Sequence, residues 1–245
     1  MKNISKNCKK AVIYVLICGA LVVLSLFANR MFGNPISKSD AEKNIKSYII
    51  DTYRVTDFSI EDFGYSREFG GYGGYVMFDD SEDSYFYIRY NPKTRQFYDT
   101  YDELVASGFN TYARLNRQYW LTVGTTITLA YPEASTTGDG MLGKYVKEEE
   151  HKNWLVPDME FDMANLPLEA TVSVFFSRQD TSAQQFATDL IDLQKLMYKN
   201  LIAVDYFDVM YNNTILLEDF PAVLVTENLD SPDILAQLVE KYLNK

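Results

Sequence analysis

The sequence predicts an α+β protein: an N-terminal transmembrane helix, then a helix packed on an antiparallel sheet, then a second α+β domain. Three observations predict it. The first is a charge-free apolar run near the N-terminus. The second is a sharp helix start followed by four short strand-like segments. The third is a cleanly alternating segment at 168–176, followed by helix-period apolar stripes. With 245 residues, 47% of them apolar, the chain is long enough for two cores.

The first element, AVIYVLICGALVVLSLFA (Ala11 to Ala28), is 18 residues without a charge. As a helix rising ~1.5 Å per residue it approaches the ~30 Å of a bilayer core. Lys2, Lys6, Lys9 and Lys10 precede it, and a positive flank stays in the cytoplasm, so the rest of the chain is expected outside. A cleaved signal peptide is the rival. Against it, the run exceeds the ~7–15 residues of a signal's apolar region, and Leu26-Phe27-Ala28 is a poor small-x-small cleavage site. A lipoprotein signal at Cys18 is opposed by bulky Leu16 and Ile17 before it.

Charge and cysteine usage fit that address. Residues 1–33 hold five basic and no acidic residues, while the remaining 212 carry 18 basic against 34 acidic, a balance of −16. So acidic a surface repels nucleic acid, which is excluded as a partner, because it offers no cations to replace phosphate counterions. Cys8 and Cys18 both lie in or before the apolar run. Disulfides, thiolate metal sites and cysteine nucleophiles are therefore excluded beyond it.

Next, Pro35 prevents simple continuation of the first helix and Gly33 adds freedom at its exit. Ser39-Asp40-Ala41-Glu42 matches a capping box. Ala41, Ile45, Tyr48, Ile49 and Thr52 then follow at helical spacing. Strands are expected at Asp57–Tyr65, Tyr75–Phe78, Tyr85–Tyr90 and Gln96–Asp99, with a turn at Asn91-Pro92-Lys93-Thr94 and a hairpin tip at Gly70-Gly71-Tyr72-Gly73-Gly74. One helix followed by a meander is a helix-on-sheet layer pair.

The apolar run, GNPI, the helix AEKNIKSYI, the tyrosine-rich meander and SGFNTYARL (Ser107 to Leu115) together resemble the YfjL-like proteins of Gram-positive bacteria, over roughly residues 10–120. The resemblance implies a small cystatin-like helix-on-sheet domain close to the membrane. It implies no activity and carries no catalytic residues.

A helix is expected over 101–123, with Leu104, Val105, Phe109, Tyr112, Leu115, Tyr119 and Trp120 at helical spacing despite Gly108, and a polar loop over 132–152. Leu168–Phe176 alternates Leu168, Ala170, Val172, Val174 and Phe176 with Glu169, Thr171 and Ser173, so one face is expected buried and one wet. Thr181–Tyr198 is a helix striped by Phe186, Leu190, Leu193 and Met197. Strands follow at Ile202–Tyr211 and Ile215–Leu217 about an Asn212-Asn213 turn. Ser231-Pro232 opens the last helix, whose stripe is Ile234, Leu235, Leu238, Val239 and Tyr242. The expected organisation is thus a cytoplasmic basic segment (1–10), a transmembrane anchor (11–32), a YfjL-like helix-plus-meander domain (33–100), a connecting helix (101–123) and a C-terminal α+β domain (124–245).

The motifs that carry chemistry fall short. Gly138-Asp139-Gly140-Met141-Leu142-Gly143-Lys144 fits GxxxxGK, but position 145 is Tyr where Ser or Thr should hold magnesium, polar Glu133–Thr137 precedes it instead of a buried strand, and an extracytoplasmic domain meets no nucleotide pool. Asp79-Asp80-Ser81-Glu82-Asp83 is oxygen-rich but lacks the EF-hand spacing and its glycine, so a solvated turn competes with a calcium site. His151, after Glu148, Glu149 and Glu150, is the one histidine, too few for a zinc hydrolase, and no GxSxG elbow accompanies it. Carboxylate pairs suited to glycoside hydrolysis cannot be singled out.

The tyrosines are more suggestive. Tyr65, Tyr72, Tyr75, Tyr85, Tyr87, Tyr90, Tyr98 and Tyr101 crowd one sheet, and alternation puts some on each face. Core packing and β-propensity compete with a wet aromatic face that grips glycan or peptide. No catalytic, cofactor-binding or metal-ligating residue is assigned, and no cofactor is expected. The expected function is a membrane-anchored extracytoplasmic protein without catalysis, binding or scaffolding at the cell envelope. Its partners would be the membrane, through a single N-terminal helix, and an envelope protein, peptide or glycan. The alternatives are a carboxylate-dependent envelope hydrolase and an ion- or ligand-sensing module. The expected location is the cell membrane, single-pass, with the C-terminal domains outside the cytoplasm.

Overall fold

The computed structural model describes residues 6–132, 134–136, 155–160, 162–165, 169–177, 182–211 and 214–244. They form a mixed α+β protein with two four-stranded sheets, and the chain divides into two compact units, 1–105 and 106–245.

In the first unit, α1 (Lys6–Phe32) contains the apolar run. Among the described residues, however, no helix is long and apolar enough to cross a membrane. The expected transmembrane anchor at 11–32, and with it the single-pass membrane location, are corrected accordingly: the helix forms, but no described helix meets the length and apolarity of a span.

Gly33, with φ +73, ends α1. Helix α2 (Pro35–Tyr53) begins at once, because Asn34 caps it: its side-chain oxygen accepts from the Ile36 N–H at 2.9 Å, and Pro35 takes the first helical position. The capping box expected at Ser39 is therefore inside the helix, one turn past the true start. Ala41, Ile45 and Ile49 bury one stripe, while Glu42 and Lys46 pair at 2.7 Å on the exposed side. Arg54, in the left-handed conformation, closes the helix by donating its N–H to the Ile50 carbonyl.

Strands β1 (Phe58–Ser66), β2 (Gly71–Phe78), β3 (Phe86–Asn91) and β4 (Gln96–Asp99) form an antiparallel meander in sequence order. Gly71, Gly73 and Gly74 belong to β2, not to a hairpin tip; the turn is at 67–70. A bulge between Glu61 and Gly64, with Asp62 at φ +51, kinks β1. Helix α2 covers one face, and Ala41, Ile45 and Ile49 pack with Val76, Phe86 and Ile88 in one core.

The helix expected over 101–123 is broken where the first unit ends and the second begins. A π-helical turn at Asp102–Ala106 precedes Gly108, which at φ +77 starts α3 (Phe109–Ala130). Leu115, Tyr119, Val123 and Ile127 bury α3 at four-residue intervals. The loop expected over 132–152 gives way at β5 (Ala134–Thr136), which pairs antiparallel with β6 (Thr171–Phe176) through Ala134 opposite Phe176.

Helix α4 (Ala183–Lys199) links β6 to the parallel strand β7 (Tyr206–Tyr211), and β8 (Thr214–Pro221) pairs antiparallel with β7. The Asn212-Asn213 turn lies outside the described residues. Ser173, expected on a wet face, is buried and donates to the Asp208 carboxylate at 2.9 Å. Burial on both faces is what a strand beside a parallel neighbour tends to adopt. Helices α5 (Ala222–Glu227) and α6 (Pro232–Leu243) follow. Pro232 sits at the first position of α6, but Ser231 makes no side-chain capping bond. Core residues from α3, α4, α6 and all four strands form a second cluster.

Candidate functional site

Alternation in the N-terminal sheet divides its tyrosines. Tyr65, Tyr72, Tyr90 and Tyr101 turn inward with the core under α2. Tyr75, Tyr85 and Tyr98 are exposed, and Tyr87, half-buried, lies on the same outer face in register with Tyr75. The inner tyrosines do structural work. The Tyr72 hydroxyl accepts from the Asn34 N–H at 2.7 Å and donates to the Asn34 carbonyl at 3.0 Å, fastening the α1–α2 junction to the sheet. Tyr48, on α2, stacks on Phe97 with centroids 4.4 Å apart and donates to Asp99 at 2.8 Å.

On the outer face, Tyr75 and Tyr85 stack 5.0 Å apart and 7° from parallel, and Tyr87 meets Tyr75 edge-on at 5.3 Å. Burial pushes the Tyr87 hydroxyl above its ordinary pKa, against the opposing pull of Arg89. It therefore stays protonated and able to donate at neutral pH.

Two residues along β3 is Arg89, on the same face. Its guanidinium lies 4.1 Å from the Phe69 ring centroid and 4.6 Å from that of Tyr98, a cation against two rings. Tyr98 is its cross-strand partner on β4, and Phe69 comes from the turn before β2. Opposite Arg89 on β2 is Gly73, where a Cβ would meet the Tyr87 hydroxyl at 2.6 Å. A cleft of about 170 Å³ opens beside the clamp, with Asn91, Thr94 and Gln96 on its polar side.

Sequence reasoning singled out the tyrosines but missed Arg89 and Phe69. Arg89 had a usable signal, since it lies two residues from Tyr87 and must share its face. Phe69 had none, because its placement comes from how the β1–β2 turn folds over.

The other sequence candidates do not assemble. Asp79, Asp80 and Glu82 are exposed on the β2–β3 turn, where Ser84 accepts from the Phe78 N–H at 2.7 Å and donates to the Ser81 carbonyl at 2.9 Å. Among the described residues, no three His, Cys, Asp or Glu side chains are placed to hold a metal. The GxxxxGK stretch at 138–144 and His151 with its three glutamates lie outside the described residues. A strand, β5, does precede Gly138, but at the edge of its sheet, whereas a phosphate loop follows a buried strand.

Several carboxylates of the second unit accept bonds within the fold. Asp205 takes the Ala170 N–H at 2.8 Å, Asp208 the Ser173 hydroxyl and Asp219 N–H, and buried Asp189 the Tyr211 hydroxyl at 2.5 Å.

Fold and surface together define a two-unit α+β protein whose first sheet carries an open aromatic face. A YfjL-like N-terminal domain matches residues 8–100, and a YfjL-like C-terminal domain matches residues 127–242. The chain belongs to the YfjL-like family. No curated protein and no solved structure matches it.

Proposed function

We infer that this protein is a non-catalytic binding protein, and that the outer face of its N-terminal sheet is the surface that takes a peptide or glycan. The observation that carries this is the exposed aromatic group with a cation fixed inside it. Tyr75, Tyr85, Tyr98 and Phe69 are each more than a third exposed, although α2 provides an inner face that could have buried aromatic residues. Exposed aromatic clusters of this kind mark interaction sites in monomeric domains. The tyrosines combine apolar area with hydroxyls that can satisfy a polar ligand.

Peptide and glycan arrays probed with the fluorophore-labelled full chain test this. Binding to one ligand class is expected, reduced at least tenfold in a Tyr75→Ser, Tyr98→Ser double variant. Arrays that stay blank, or binding that ignores both substitutions, would overturn it.

A further inference from the structure

We propose that Arg89 anchors a subsite for the C-terminal carboxylate of a peptide. This rests on the outer face being the ligand surface and adds the chemistry of what is held there. Phe69 and Tyr98 both lie against the guanidinium, with ring centroids 4.1 and 4.6 Å from its central carbon, while its N–H groups are the donors it can offer a ligand. They make no hydrogen bond or ion pair with any described residue. A fork of fixed donors on a clamped side chain matches a carboxylate bidentately and loses little freedom on binding.

Three features narrow the ligand to one carboxylate at a chain end. The cleft of about 170 Å³ is smaller than the ~300–1,000 Å³ that houses a whole small molecule, so it suits an end group. The formal charge of −11 disfavours polyanions such as acidic polysaccharides, whose further charges would meet repulsion. One face of each ring is engaged as well: Tyr75 and Tyr85 stack on each other, and Phe69 and Tyr98 lie against Arg89. That leaves less open ring face for a sugar to stack on, while ring edges can still meet a peptide's amides.

The strand spacing suits a peptide that runs along β3 toward Tyr87. In an extended chain, same-face side chains repeat every ~7 Å, which is the step from Arg89 to Tyr87 along β3. In that orientation a terminal carboxylate on Arg89 sets the residue two before it against Tyr87 and Tyr75.

Amide and Arg89 side-chain N–H resonances of the ¹⁵N-labelled full chain are followed during titration with three probes. These are the tripeptide acetyl-Phe-Gly-Ala as free acid, the same peptide as its C-terminal amide, and methyl glucuronide. The free acid is expected to shift Arg89 and Gly73 saturably, at least tenfold more tightly than the amide, and Arg89→Lys should lose that preference.

Equal binding of acid and amide overturns the carboxylate subsite while leaving the aromatic ligand surface standing. No response at Arg89 to the free acid also overturns it, and the Tyr75 and Tyr85 resonances then separate this failure from failure of the whole surface. A glucuronide that binds as tightly as the free acid overturns the peptide assignment.

Discussion

At Gly73 the missing side chain is what lets Tyr87 lie across the sheet, since a Cβ would meet the Tyr87 hydroxyl at 2.6 Å and the Ile88 carbonyl oxygen at 2.5 Å. Gly73→Ala should cost about 2 kcal/mol in a urea-unfolding measurement, the usual scale of overpacking. Tyr72 serves the chain differently, holding both backbone groups of Asn34 with one hydroxyl. Tyr72→Phe should destabilise by about 1–2 kcal/mol and speed hydrogen exchange at the Asn34 amide. Unchanged exchange there would show that the junction is held by other contacts. The phenols also set a pH dependence. Burial is the largest cause raising Tyr48, Tyr53 and Tyr119 above the ordinary value of 10.0. The unfolded chain therefore loses these protons first, so stability is intact below about pH 10 and falls as pH rises beyond it. Urea midpoints between pH 8 and 11 should show this decline, and Tyr119→Phe should flatten it.

Among the elements, the strands of the first sheet and the helices of the second unit differ in how openly the sequence declares them. Strand β4 is found at Gln96–Asp99, where alternation and the Asn91 turn set it, because Asn91 accepts from the Lys93 N–H at 2.9 Å within four local residues. The start of α2 was misread because two helix-start signals lie five residues apart. Asn34-Pro35 won over Ser39 because Gly33 had already broken α1, leaving Asn34 free to cap. Helix α4 starts where Ser182 accepts from the Gln185 N–H at 3.2 Å, and Ser182→Ala should cost about 1 kcal/mol in thermal unfolding. Strand β5 was invisible in sequence, since Ala-Ser-Thr carries no strand pattern and gains its place only by pairing with β6.

Across the whole molecule, the two cores have separate memberships, one drawn from residues 41–105 and the other from 115–239. Ile45→Ala and Leu190→Ala each remove a fully buried side chain and should each cost about 2–5 kcal/mol. In calorimetry they are expected to lower different transitions, and a single transition lowered equally by both would show that the cores unfold as one.

Composition and local pattern by themselves determined the α+β class, the stripes of α2, α3, α4 and α6, the β1–β4 meander and the YfjL-like resemblance of the first half. Each of these depends on side-chain period or on bonds between near neighbours, which the order of residues states directly. Only the tertiary structure decided the rest. It put Ser173 inside by laying β7 parallel beside β6. It brought Phe69 and Tyr98, separated by two strands and two turns, against Arg89. The same holds for the N-terminal run, whose helix forms although no described helix meets the length and apolarity of a span. Pairing across strands joins residues far apart in sequence, and no periodicity within one segment encodes which partner the fold will bring.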